Sequence, residues 1–369
     1  MADGMASFAV NTIYQESCLD TLARMPDGFL DCVVTSPPYY GLRSYGTEPQ
    51  IWGGEKDCRH IFVSTPVKDS RGTNGTTLSG RDPNQVENRL NYEYAFCSVC
   101  NAWRGELGLE PTFQLYISHL IDIFREVYRV LKPSGSVWVN LGDSYAGSWG
   151  AMSHSLDGKA KTTGANGRPN TSRPQGLRSK SLMNIPARFA IAMTDELQFI
   201  QRNEIIWRKK SCMPESVKDR FTRDFEPVFF FVKSERYYFE QQLEKTLTFD
   251  GGLRDRDNSK LNKTPGRTRM AGLVTNAYEM RNKRTVWDLG PEGSEVEHYA
   301  SYPTKLIEVP IRAGCPVGGI VYDPFGGTAT TAVVSYKLGR DWIISELNPK
   351  YVEIAEKRLK PYLDQPTMF

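Results

Sequence analysis

The stretch GGIVYDPFGGTATTAVVSYKLGRDWIISELN, residues 318–348, decides the fold. An apolar run through Ile320, Val321 and Tyr322 ends in Asp323 and is broken at Pro324, which cannot donate to a ladder. Gly326 and Gly327 follow, then a run with helical spacing, then a second apolar run, Trp342 to Ser345, ending in Glu346. Strand, loop, helix, strand is the unit of a parallel α/β sheet. Ligands of such sheets sit outside the carboxyl ends of the strands, where the two glycines allow backbone to approach closely. Glu346, 23 residues after Asp323, is where nucleotide-binding sheets place an acid for ribose hydroxyls.

The stretch lacks the Gly-Lys-Ser/Thr that grips phosphates and the G-x-G-x-x-G of dinucleotide folds. A ligand with a ribose and no phosphates, such as S-adenosylmethionine, fits it best. The candidate cofactor residues are Asp323, Pro324, Phe325, Gly326, Gly327, Thr328 and Glu346. The bland alternative, a turn whose glycines only bend the chain, loses ground because both strands end in an acid.

The rest of the chain extends this grammar. Residues 113–131 carry Phe113, Tyr116, Leu120, Phe124 and Val127 at helical spacing, and KPSG is expected to stop that helix before the strand SVWVNLGD. FLDCVVTS, RNEIIWRK and FEPVFFFVKS read as strands, and IPARFAIAMTDEL, YPTKLIEVPIRAG and NPKYVEIAEKRLK as helices. Residues 55–100 read as polar, glycine-rich loop, and 147–181 as a mobile basic loop unable to build a core. The reading is an α/β Rossmann-like fold with a mostly parallel twisted sheet and helices on both faces.

VVTSPPYYGL, residues 33–42, ends another buried strand on a stiff Ser-Pro-Pro-Tyr. TSPPY together with DPFGGTATT resembles the two signature motifs of the amino-group DNA methyltransferases, in the order of the β class. REVYRVLKPSGSVWVNLGDSY, KSLMNIPARFAIAM and IIWRKKSCMPESVKDR are similar too, so the resemblance covers nearly the whole chain. It implies a methyltransferase fold and transfer of a methyl group from S-adenosylmethionine to an exocyclic amine of a flipped base in double-stranded DNA. It implies a catalytic half at 1–240, a target-recognition segment at 241–290 and a cofactor half at 291–369. A serine before the prolines leans toward cytosine N4, with adenine N6 the alternative. A non-catalytic DNA-binding module is the distant rival.

Within that resemblance the tetrapeptide acquires a chemistry. An exocyclic amine is a poor nucleophile because its lone pair is delocalised into the ring. Acceptors aimed at its N–H groups favour the tetrahedral geometry that attacks. Ser36 supplies a side-chain oxygen and Pro37 a carbonyl held in place by Pro38, while Tyr39 offers a face on which an extruded base stacks. A turn is the alternative reading of these four residues. The family carries glycine where Ala329 stands and often an acid where Ser17 stands, next to Glu16, so Ser17 is the candidate contact to the cofactor's adenine. Asp143 is read equally as part of the base pocket and as a local cap. His119, on an apolar helix face, is read as packed.

Cys58-x-His60 and Cys97-x-x-Cys100 supply four soft or borderline ligands suited to tetrahedral zinc, which would pin the insertion at 58–100; free thiols on a loop are the alternative. Basic residues at 159–180 and 254–284, among them Lys263, Arg267, Arg269, Arg281, Lys283 and Arg284, are the candidate DNA contacts. The 369-residue chain has a net charge of only +3, so the positive charge is local. It has no apolar run near the ~20 residues that span a bilayer and no signal-peptide start. Seven cysteines outside any disulfide framework suit a reducing cytoplasm, and the resemblance implies a bacterial or phage-encoded protein. A cognate restriction endonuclease is the partner class implied, and monomer and dimer both stay open.

Overall fold

The structure is a computed structural model that describes residues 8–42, 44–65, 94–146, 176–212, 215, 217–245, 280–290 and 302–364. Its strands are β1 (Thr12–Tyr14), β2 (Leu30–Thr35), β3 (Gln50–Trp52), β4 (Phe62–Thr65), β5 (Tyr94–Cys97), β6 (Trp103–Gly105), β7 (Leu131–Asn140), β8 (Ile200–Lys209), β9 (Phe225–Val232), β10 (Leu243–Lys245), β11 (Met280–Asn282), β12 (Val286–Leu289), β13 (Ile320–Asp323) and β14 (Asp341–Ser345). The helices are α1 (Cys18–Arg24), α2 (Phe113–Val130), α3 (Ile185–Asp195), α4 (Thr304–Gly314), α5 (Thr330–Lys337) and α6 (Pro349–Leu363).

Eight strands form one sheet in the order β1-β14-β13-β2-β7-β9-β8-β12. All run the same way except β9, which pairs antiparallel with β7 and β8. Side chains alternate across a strand, so each central strand feeds two cores. Val33 of β2 and Phe229 and Phe231 of β9 join the core under α1, α2 and α3. Cys32, Val34 and Phe230 join the opposite core under α4. The expected α/β sheet with helices on both faces is therefore what the chain forms.

The local chemistry of each element is ordinary. Thr112 caps α2 by accepting the Leu115 N–H at 3.2 Å, and Asn348 caps α6 by accepting that of Lys350 at 2.9 Å. KPSG does not separate α2 from the next strand. The helix ends at Val130 and β7 begins at Leu131, with a register shift against β2 between Leu30 and Cys32. Residues 55–100 are not simply loop. The strands β3-β6-β5-β4 form a second, antiparallel sheet. Each has three or four residues, too short for the alternation to show in sequence. Of the basic loop expected at 147–181, residues 147–175 lie outside the described residues.

Candidate active site and metal cluster

Parallel neighbours bring the two sequence motifs together. β13 lies between β2 and β14, so Ser-Pro-Pro-Tyr, the Gly-Gly loop and Glu346 leave the sheet at one edge. They border a cleft lined by Ser36, Pro38, Pro324, Phe325, Gly327 and Glu346. Glu16 and Ser17 close one side, although Ser17 does not end a strand as expected. β1 stops at Tyr14, and Ser17 caps α1 through the Leu19 N–H.

Glu346 is held by the loop it serves. Its two oxygens accept the N–H groups of Gly327 at 2.8 Å and Asn348 at 2.7 Å, which leaves lone pairs toward the cleft. Burial pushes its pKa up and the two N–H donors oppose the shift. Gly326 is required for close packing, because a Cβ there would stand 2.7 Å from the Ile344 Cβ.

Two candidates, Asp323 and Thr328, face elsewhere, as does Ala329. Asp323 is 1% exposed and does not line the cleft. It accepts hydrogen bonds from Thr35 Oγ1 at 2.6 Å, Phe325 N at 3.0 Å, Tyr302 OH at 2.9 Å and Thr331 Oγ1 at 2.6 Å. Its four bonds tie β2 to β13 and shape the loop. Thr328 is turned to α6, where its carbonyl and hydroxyl take Arg358. Ala329 is buried at φ +63°, so the glycine that the family carries there answers a left-handed backbone and not cleft volume.

The Ser-Pro-Pro-Tyr turn is fixed from both sides. Tyr116 of α2 donates its hydroxyl to the Pro38 carbonyl at 2.7 Å. The Tyr39 ring lies against Gly142, where any side chain would collide with it. Its hydroxyl sits 2.8 Å from Glu226 Oε2, 2.9 Å from Asn140 Oδ1 and 3.5 Å from Ser36 Oγ. Lys209 Nζ donates to the other Glu226 oxygen at 2.5 Å. Burial, reinforced by the Glu226 carboxylate, pushes the Tyr39 phenol well above its ordinary value, so it stays protonated. Asn140 and Glu226 were not singled out from sequence, because neither belongs to a motif and only strand register places them here.

Asp143 acts as a cap. Its Oδ1 accepts the N–H groups of Ser144 and Ile185 at the start of α3, and Oδ2 pairs with Arg223 at 3.1 Å. His119 is packed as expected. It stacks between Trp52 and Trp103 and meets Glu110 at 3.0 Å.

The second sheet supplies a cleft wall that sequence reading missed. Tyr45, Thr47, Gln50, Trp52, Glu106 and Leu107 all line the cleft. Glu106 is buried and holds the approach to β3 by accepting from the Ser44 hydroxyl at 2.7 Å and the Tyr45 N–H. The available signal was the pair of tryptophan-glycine stretches, IWGG and WRGE, flanking the cysteine pairs.

Those cysteine pairs converge. The donor atoms of Cys58, His60, Cys97 and Cys100 lie within 4.8 Å of one another. Cys58 and Cys97 Sγ are 3.8 Å apart, and Cys100 Sγ is 3.3 Å from His60 Nδ1. A tetrahedron with Zn–S of ~2.3 Å and Zn–N of ~2.0 Å has edges of roughly 3.8 and 3.5 Å, so the donor set fits zinc in kind and spacing.

Of the candidate DNA contacts, Lys263, Arg267 and Arg269 lie outside the described residues. Arg281 and Arg284 both pair with Glu244, at 3.0 and 2.8 Å, and Lys283 sits over the Trp287 ring. Among the described residues no helix is long and apolar enough to cross a membrane.

The fold and cleft define a methyltransferase-like α/β protein, and comparison gives the family. Residues 30–357 match the N6/N4 methyltransferase model described as DNA methylase. The type II methyltransferase M.Cfr9I of Citrobacter freundii is 31% identical over 350 residues, 95% of this chain and 87% of that protein. M.SmaI of Serratia marcescens is 32% identical over 329 residues, covering 89% and 84%. The solved PvuII DNA methyltransferase, described as cytosine-N4-specific, superposes with a TM-score of 0.54 at 17% identity, covering 96% of this chain and 91% of that one. TTHA0409 of Thermus thermophilus, solved with S-adenosyl-L-methionine, gives 0.50 at 18% identity, covering 96% and 94%. The chain belongs to the N6/N4 DNA methylase family and is a DNA methyltransferase.

Proposed function

We propose that this enzyme methylates cytosine N4 in double-stranded DNA, using S-adenosylmethionine bound in the cleft. The observation that carries the reading is the shared cleft, with Ser36 and Glu346 on one cavity wall system. The cofactor supplies an electrophilic methyl group when bound. Glu346 would accept from its ribose hydroxyls, and Pro324, Phe325, Ser17 and Glu16, which line the same cleft, would hold the rest of it. Ser36 Oγ and the Pro37 carbonyl accept from the target amine, biasing its nitrogen toward the tetrahedral geometry that attacks in line. Tyr39, held by Glu226 and Asn140, positions the flipped base against its ring. The serine before Pro37 supports cytosine over adenine, as the family resemblance implies.

The same reading assigns target recognition to 241–290, with Lys283 and Arg284 toward phosphates, and a structural zinc to Cys58, His60, Cys97 and Cys100. The named relatives are type II methyltransferases, which supports a restriction–modification role beside a cognate endonuclease in a bacterial or phage-infected cytoplasm. The test is mass spectrometry of nucleosides from DNA incubated with the enzyme and cofactor. N4-methylcytosine is the expected product. N6-methyladenine would overturn the base assignment, and no methylated nucleoside would overturn the activity.

A further inference from the structure

We infer that the Cys58–His60–Cys97–Cys100 metal clip holds the outer wall of the cofactor cleft, so that metal occupancy sets cofactor affinity. This rests on the zinc and cofactor assignments proposed above. The clip joins the two chain segments that form the wall. β3 leaves the cleft through Trp52 and reaches Cys58 six residues later; Cys100 precedes β6, which returns to the cleft at Glu106 and Leu107. β3 and β6 pair directly, Trp52 opposite Trp103. Behind them the backbone is wound tightly onto the clip. Gly53 and Gly54 take φ of +66° and +76°. A Cβ on Gly54 would stand 2.7 Å from Cys100 Sγ and 2.6 Å from the Ala102 Cβ. The Cys97 N–H closes the turn on the Ala102 carbonyl at 2.8 Å.

Trp52, Trp103 and Leu107 join the main core, but the outer part of the wall has little apolar burial to hold it. The wall's four strands are three or four residues long, and Ile51, Ile61, Val63 and Val99 are exposed. So small a sheet needs a staple. One anchor exists on the core side, where Trp52 and Trp103 clamp His119 of α2. That anchor and the β3–β6 pairing hold Trp52 and Trp103, while beyond them the chain after Gly54 and the turn at 97–100 are drawn together at the four donors. Losing the metal loosens those segments, and Gln50 and Glu106 then occupy their cleft positions for part of the time. A wall in place about a tenth of the time weakens apparent affinity about tenfold.

The experiment uses the full-length chain prepared under reductant. Metal analysis is expected to find about one zinc per chain. Calorimetry without DNA then measures S-adenosylmethionine binding to the zinc-loaded protein, to protein stripped by a chelator, and to stripped protein given zinc or magnesium. Stripping is expected to weaken binding about tenfold, zinc to restore it, and magnesium not to. Cys58→Ser should behave as the stripped protein, and His60→Cys, which keeps four donors, as the loaded one. Amide hydrogen exchange keeps the test decisive if metal loss destabilises the chain. Faster exchange confined to 50–54 and 97–107 is the expected result. Faster exchange across the eight-stranded sheet, or unchanged affinity in a demonstrably zinc-free chain, would overturn the wall inference. A chain that holds no metal and ignores Cys58→Ser would overturn the zinc assignment, and a zinc-loaded chain that never binds the cofactor would overturn the cleft assignment.

Discussion

Ser36 and Tyr39 sit on the same turn, yet the structure separates their work. Ser36 borders the cleft, so Ser36→Ala should remove one acceptor from the amine and leave folding intact. By analogy with a lost oxyanion donor the cost is ~2.7–4 kcal/mol, a hundredfold or more in single-turnover rate, with cofactor affinity unchanged. Tyr39 is the case in which sequence reading went furthest and stopped short. A ring used only for stacking would make Tyr39→Phe mild. The hydroxyl, however, meets Glu226 and Asn140, so Tyr39→Phe leaves buried Asn140 and half-buried Glu226 facing a bare ring edge at ~1–3 kcal/mol. Single-turnover methylation should fall about tenfold or more, and Glu226→Gln should give a loss of similar size. A Tyr39→Phe rate equal to wild type would return the residue to a stacking role alone. The motifs were legible because they are contiguous. Asn140 and Glu226 were not, because they reach the site only through the pairing of β7 with β9, which puts Asn140 opposite Val228.

At the scale of elements, the turn after β13 carries the cofactor assignment and divides it between two acids. Glu346 lines the cleft. Glu346→Ala should weaken S-adenosylmethionine binding by ~1.5–3 kcal/mol, ten- to a hundredfold in Kd, because two hydroxyls lose a charged acceptor. Asp323 is sealed beneath the loop by four donors. Asp323→Ala should therefore act first on stability, by about 2–4 kcal/mol in denaturant unfolding, as buried donors go unpaired. Its effect on cofactor binding should follow from the displaced loop. An Asp323→Ala chain as stable as wild type but unable to bind cofactor would reverse this division. Sequence placed both acids at strand ends, which is correct, but depth below the cleft depends on what packs over each. Tyr302 and Thr331, which cover Asp323, come from outside its strand. The short strands of the second sheet were lost for a related reason. Three residues contain too little alternation to be told from loop, and the sheet is anchored by Trp52 and Trp103 stacking on His119 instead of by a periodic apolar face.

For the whole molecule, charge decides how DNA is held. Forty-six basic residues stand against 43 acidic ones, so there is little overall attraction and binding must rest on local patches. Parallel topology was legible from helix–strand alternation, and it explains why residues 288 positions apart, Thr35 and Asp323, share a hydrogen bond. The DNA surface was legible only as composition, since basic runs carry no register. The structure sharpens part of it. Arg281 and Arg284 converge on Glu244, so their charge is partly spent within the protein, and Arg284, the more exposed of the two, is the better placed to leave that pair for a phosphate. Lys283 covers the Trp287 ring and keeps its ammonium near the same edge of the sheet. Lys283→Ala and Arg284→Ala should each weaken binding to every DNA sequence alike and reduce the slope of log K against log salt by ~1. Glu244→Gln should have the opposite sign, freeing both arginines and tightening non-specific binding at low salt. The check is a filter-binding or anisotropy titration across salt concentrations with cognate and unrelated duplexes. A loss confined to one sequence would make these side chains base readers, and an unchanged slope in both alanine variants would move the phosphate contacts away from 280–290.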